Sequence, residues 1–221
     1  MSRSPSFAYI FPFALFMGFV ALRPVAPLSE FAYQAVWLVA GAASVLFAAR
    51  PVLDFRVSCP FASVAIGVAV FVVWIAPDLI APGYRQTLPF SNFLTGAARS
   101  TLSEAGQGHT GTLILRTARA VVIVPIVEEL FWRAWLMRWI ISPDFRKIEL
   151  GAYSAGSFWL VAVLFASEHG AYWDVGLLAG IVYNWWMIRT KSVGDLIVAH
   201  AVTNGCLSAY VLAAGKWEYW L

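Results

Sequence analysis

Residues 121–140 read VVIVPIVEELFWRAWLMRWI, with Glu128 and Glu129 side by side in a stretch otherwise apolar enough to lie inside a bilayer. Two carboxylates in hydrocarbon are costly, so such a pair marks either a functional site or an ion pair that locks helices together. Two more polar outposts stand in apolar runs: His169 in LVAVLFASEHG, and His200 with Asn204 in LIVAHAVTNG. The chain has 3 histidines, and two of them fall in these segments. A lone histidine on an apolar helix is ordinarily a packing residue. Two of them, joined by a glutamate and an asparagine, strain that explanation and direct the search for chemistry here.

Composition sets the class. The chain has 221 residues, of which 61% are hydrophobic and 12% charged; its mean hydropathy is +0.74. Soluble domains carry about 25% charged residues, so the expectation is an all-α polytopic membrane protein. Trp and Tyr anchor at headgroup level, and clusters such as Trp185-Trp186 and Trp217 to Trp220 lie near segment ends. The net charge of +3 is modest, and no basic run resembles a nucleic-acid patch. Cys59 and Cys206 are far apart and read as small hydrophobes, giving neither a disulfide framework nor a CxxC pair. The apolar run from Phe7 to Leu22 imitates a signal peptide. The following Arg23-Pro24-Val25 offers no small-x-small cleavage site, so a retained first helix is expected.

A spanning helix needs about 20 mainly apolar residues. Seven segments qualify: about 6–22, 31–49, 60–80, 113–139, 154–170, 173–189 and 194–214. The fourth is interrupted by Arg116, Arg119, Glu128, Glu129 and Arg133, and must face protein or water rather than lipid. The expected organisation is one integral-membrane domain over 1–221, with 113–214 carrying the chemistry. The polar stretch from Asp78 to about Gly111 is expected to form a loop or a surface-lying helix over a site. No internal repeat is visible, which offers nothing to the inverted-repeat transporters. With a cytoplasmic N-terminus, one side collects Arg3, Arg50, Arg56, Arg138, Arg146, Lys147, Arg189 and Lys191. The other collects Arg23, Arg85, Arg99 and Lys216, an asymmetry that favours this orientation.

Helix geometry sorts the polar residues. Glu129 and Arg133 are four apart and share a face, so they can neutralise one another. Glu128 is turned by about 100° from Glu129 and has no basic residue four away, leaving it to face a cavity. Pro125 cannot donate to the carbonyl of Val121, so a kink is expected there, with a neighbouring polar group or water satisfying that carbonyl. A glutamate and a histidine can jointly hold and deprotonate a water. A second histidine and an asparagine amide are suited to stabilising an oxyanion. No Ser or Cys stands in a nucleophile setting, which disfavours covalent catalysis.

Taken in order, Glu128-Glu129-x-x-x-Arg133, Phe165-x-x-x-His169 and His200-x-x-x-Asn204 resemble the three motifs of the CPBP (Abi) intramembrane protease family, which includes the type II CAAX prenyl endopeptidase. The resemblance covers roughly residues 115–212. The extended text PIVEELFWRAWLMRW also resembles a bacterial branch called CAAX prenyl protease-related, associated with exosortase and C-terminal sorting systems. What the resemblance implies is a peptide-bond hydrolase. In it Glu128 serves as general base, His169 helps hold the attacking water, and His200 and Asn204 stabilise the oxyanion. It also implies a structural ion pair of Glu129 with Arg133, and Phe165 as a wall of the site. Glu168 is outside the family pattern. The implied partners are the bilayer and a membrane-tethered protein or peptide substrate, with sorting-system proteins as further candidates and no nucleic acid. The implied location is the bacterial cytoplasmic (inner) membrane.

Two histidines and a glutamate also suit zinc, so a metal-dependent version would use Glu128, His169 and His200. No HExxH is present, and the family resemblance leans toward a mechanism with no cofactor. The rival readings are a proton-coupled transporter and a non-catalytic membrane immunity or binding protein. GxxxG at Gly176 to Gly180 is a candidate helix-packing or dimer face.

Overall fold

The computed structural model describes residues 4–220; Arg3, counted above for the orientation, lies outside them. A helix covers each of the seven expected segments: α1 (Phe7–Leu22), α2 (Glu30–Ser44), α3 (Pro60–Ile80), α4 (Thr110–Ile141), α5 (Ala155–Ser167), α6 (Trp173–Thr190) and α7 (Val193–Ala214). Among the described residues the only β pairing is an isolated bridge between Asn92 and Gly96. The local rules are visible at the ends. Ser29 Oγ accepts the Ala32 N–H of α2, and Ser192 Oγ accepts the Asp195 N–H of α7. Gly215, at φ 66°, closes α7 in the left-handed conformation that glycine tolerates.

Among the described residues five helices are long and apolar enough to cross a membrane: Phe7–Val25, Glu30–Val52, Pro60–Ile80, Thr110–Ile141 and Val193–Ala214. The count of seven spans is therefore reduced to five by that measure. α5 is apolar but has 13 residues, about 20 Å of helix. α6 is diluted by Asp174, Asn184 and Arg189. α5 also stops short of the expected 170, because Gly170 takes φ 50° and turns the chain. His169 accordingly lies just beyond the helix, not within it. The molecule is an integral, multi-pass helical membrane protein.

The largest helix contacts join α3 to α7 and α5 to α6. At the first, a Cβ on Gly67 would lie 2.4 Å from Ala199 O, so only glycine lets these backbones meet. Thr203 Oγ1 then donates to Gly67 O at 2.8 Å. Small residues and short polar links of this kind hold membrane helices together where lipid supplies no hydrophobic drive. The GxxxG of α6 is turned inward in the same way: Gly180 abuts Ala162 and Phe165 of α5, and Gly176 abuts the His169 side chain.

Successive helices alternate in direction. At one end Trp135 Nε1 donates to Ser6 Oγ (3.0 Å), Ser192 Oγ donates to Arg56 O (2.8 Å), and Lys191 pairs with Glu149 (3.3 Å). At the other end Ser103 N donates to Glu30 (2.9 Å), Thr101 N donates to Trp220 O (2.9 Å), and Arg85 joins Asp78 to Asp174. Arg50, Arg56, Arg146, Lys147 and Lys191 all fall at the first end.

α4 does not simply kink. It widens into π turns at Arg119–Ile123 and Leu130–Leu136, flanking a regular segment Val124–Glu129. The Val124 N–H reaches Arg119 O, five residues back. In that register the next carbonyl, Ala120 O, would meet residue 125, a proline with no N–H. Ala120 O is thereby left without a backbone donor, and Asn204 Nδ2 satisfies it at 2.8 Å.

Candidate active site

Glu128 sits on the regular segment of α4 between its two π turns, a place where irregular turns re-aim side chains. Glu128, His169, His200 and Asn204 all line one cavity of about 180 Å³, together with Phe165, Trp74, Tyr172, Tyr183 and Thr203. The structure thus brings together all four residues read from the sequence, plus the aromatic one. Glu129 and Arg133 lie behind them, both fully buried and paired at 3.1 Å.

The hydrogen bonds assign atoms to directions. His169 Nδ1 lies 2.8 Å from Phe165 O. A carbonyl only accepts, so Nδ1 carries the proton and the Nε2 lone pair remains an acceptor. Glu128 is 7% exposed, and its Oε2 has no hydrogen-bond partner. A carboxylate oxygen and an imidazole nitrogen, both acceptors, are what a water molecule with two protons requires. Glu129 is engaged differently. Its Oε1 accepts from Arg133 and from His200 Nδ1, the latter at 2.8 Å. His200 therefore turns Nε2 away from Glu129, and its ring stacks on Tyr183 at 5.3 Å between centroids. Asn204 spends one amide N–H on Ala120 O and keeps a second.

Several residues of the site were not singled out from the sequence. Asn184 accepts from Arg133 Nε (3.1 Å) and donates to Phe158 O (2.8 Å), fixing the ion pair against α5. Tyr183 shares a 2.7 Å hydrogen bond with Thr203. Tyr172 also lines the cavity with a buried hydroxyl that no partner meets, and burial raises its phenol well above the ordinary range, so it stays protonated. No spacing rule in the sequence points to these groups. Glu168, beside His169, is exposed and does not line the cavity.

The stretch from Asp78 to Gly111 does not itself line the cavity. It is a loop with a 3-10 turn at Tyr84–Gln86 and one α-helical turn at Glu104–Gln107, and it braces the residues that do. Asp78 accepts from Tyr219 OH (2.9 Å), Arg85 stacks on Tyr172 at 4.4 Å, and Thr101 holds Trp220. Tyr219 and Trp220 line that end of the cavity.

Among the described residues no three His, Cys, Asp or Glu side chains come together as a group able to hold a metal ion. Glu128, His169 and His200 are not such a group.

A helical membrane bundle with a carboxylate, two imidazoles and an amide around one buried cavity defines a candidate membrane hydrolase. Residues 110–206 match the family model described as Type II CAAX prenyl endopeptidase Rce1-like, so this part of the chain is similar to the CAAX protease family. Searches of curated proteins and of solved structures each gave no match.

Proposed function

We propose that this protein is an intramembrane endopeptidase that hydrolyses a peptide bond of a membrane-tethered protein or peptide with a water activated by Glu128 and His169. The observation that carries the reading is the unpartnered Glu128 oxygen in the same cavity as a histidine whose Nε2 must accept. Water donates one hydrogen to each. Glu128 removes a proton as the water oxygen attacks the scissile carbonyl carbon, and the carbonyl oxygen becomes an oxyanion. Asn204 donates its remaining N–H to that oxyanion. His200 donates from Nε2 as an imidazolium, its charge balanced by Glu129. Collapse expels the amine, which takes the proton from Glu128.

No step passes through a metal ion, and no covalent intermediate forms. Phe165 walls the site, and the Glu129–Arg133 pair anchors it. A buried cavity selects a substrate already resident in the membrane, such as a protein tail. The bacterial cytoplasmic membrane and a C-terminal sorting system are the setting suggested by the extended first motif. The test is a mass-spectrometric comparison of membrane-protein C-termini in cells with and without the protein. New C-termini that appear only with it support the proposal. Identical termini, with solute flux in proteoliposomes, would replace it with the transporter reading.

A further inference from the structure

Residues 87–98, in the loop between α3 and α4, carry no charge, although Arg85 and Arg99 flank them. The two phenylalanines of this stretch are placed oppositely. Phe90 is 5% exposed and stacks on Trp173, whose Nε1 donates to Pro89 O at 3.0 Å. Phe93, three residues on, is 100% exposed, and Leu94 beside it is 89% exposed. The root of the loop is thus pinned to α6 while its tip turns two large apolar side chains outward. A contiguous apolar surface of this kind marks a contact with a membrane or a protein.

The tip is a tight turn. Asn92 and Gly96 exchange N–H···O bonds of 3.1 and 2.9 Å. Asn92 Oδ1 accepts the N–H groups of Leu94 and Thr95, and Asn92 Nδ2 donates to Leu88 O at 2.7 Å. The N–H groups of Asn92, Leu94, Thr95 and Gly96 are therefore met inside the turn, as a backbone close to hydrocarbon requires.

Its height follows from α5. A Cβ on Gly170, just past the end of α5, would lie 2.9 Å from Thr95 O, so the tip rests on that end. α5 starts from the basic end of the bundle, and its 13 residues rise about 20 Å through hydrocarbon about 30 Å thick. A tip seated at its far end stands at the edge of the acyl region rather than in bulk water. The apolar surface is also continuous. Trp159, Leu160, Val163 and Leu164 of α5 are exposed, and Leu94 and Thr95 face Val163 and Ala166 across a groove of about 430 Å³.

We propose that the turn at 92–96 is a lipid anchor, with Phe93 and Leu94 inserted among the acyl chains of the leaflet at this end and acyl chains filling the groove against α5. Lipid is the occupant because the turn offers no charge to a polar partner and extends the apolar side of α5. The anchor holds the loop against the turn that follows His169. It does not depend on the protease reading.

The test is the depth of a nitroxide spin label in the purified full chain, with Cys59→Ala and Cys206→Ala, in phosphatidylcholine–phosphatidylglycerol vesicles. Oxygen concentrates in hydrocarbon and a nickel chelate stays in water. A label on Phe93→Cys should relax more with oxygen than with nickel, as should one on Leu160→Cys in α5. A label on Ala105→Cys, exposed beside Glu104 in the same loop, should show the reverse. Leu94→Cys should match Phe93→Cys, so a label that disturbs one position does not decide the result. Nickel access at both 93 and 94 equal to that at 105 would overturn the proposal. Shielding of both from oxygen and nickel would overturn it too, by showing a protein contact. Spin–spin broadening that vanishes on dilution with unlabelled chain would identify a second copy as the occupant and likewise overturn it.

Discussion

One oxygen of Glu129 accepts from both His200 Nδ1, at 2.8 Å, and Arg133 Nη1, at 3.1 Å. The carboxylate that spacing assigns to a structural pair is thus also the group that orients a histidine of the cavity.

That double duty sets the first prediction. Glu129→Gln leaves Arg133 charged and uncompensated inside the bundle, and loss of one partner of a buried pair costs about 3–5 kcal/mol. Expression and thermal stability should fall sharply. The residual folded protein should also be slow, since His200 loses the counter-charge for its imidazolium. A well-folded Glu129→Gln protein with wild-type turnover would contradict both assignments.

Asn204 joins the reaction to the backbone of α4. Asn204→Ala removes an oxyanion donor, for which the loss is about 10²–10³ in rate. It also leaves Ala120 O unsatisfied, at about 1–3 kcal/mol. Kinetics and melting of the same preparation should show both losses, with substrate binding little changed. A rate loss without destabilisation would remove Ala120 from the account.

Much of this was legible in the sequence. The apolar runs predict a helix in each of the seven segments, and the polar residues standing in those runs, Glu128, His169, His200 and Asn204, are the ones that line the cavity. The rest depended on interactions between distant segments or on backbone register. The link from Glu129 to His200 crosses 71 positions, and no periodicity encodes it. The orphan carbonyl at Ala120, met by Asn204, follows from a π turn, which a proline makes possible but does not specify. His169 was placed inside a helix because the text around it is apolar; Gly170 at φ 50° ends that helix earlier.

Topology is testable without a substrate. Arg146 and Gln107 belong to opposite ends of the bundle, and the basic end should be cytoplasmic. In intact cells an impermeant thiol reagent should label Gln107→Cys and spare Arg146→Cys, with the native cysteines replaced. Equal labelling of both would reject this orientation.

Metal dependence divides the glutamate mechanism from its zinc rival. The purified protein should keep full activity after exhaustive chelation, and elemental analysis should find no stoichiometric zinc. Loss of activity on chelation, restored by adding zinc, would assign Glu128, His169 and His200 to a metal instead.

The central claim is that Glu128 activates the attacking water. The most direct measurement is single-turnover cleavage of one identified substrate by purified wild type and Glu128→Gln, with melting recorded for both. Glutamine keeps the shape and removes the base, so cleavage should fall by at least about 10²–10⁴, the usual contribution of general base catalysis, while the melting midpoint stays at or above that of wild type. A folded Glu128→Gln protein that still cuts at a comparable rate would contradict the account.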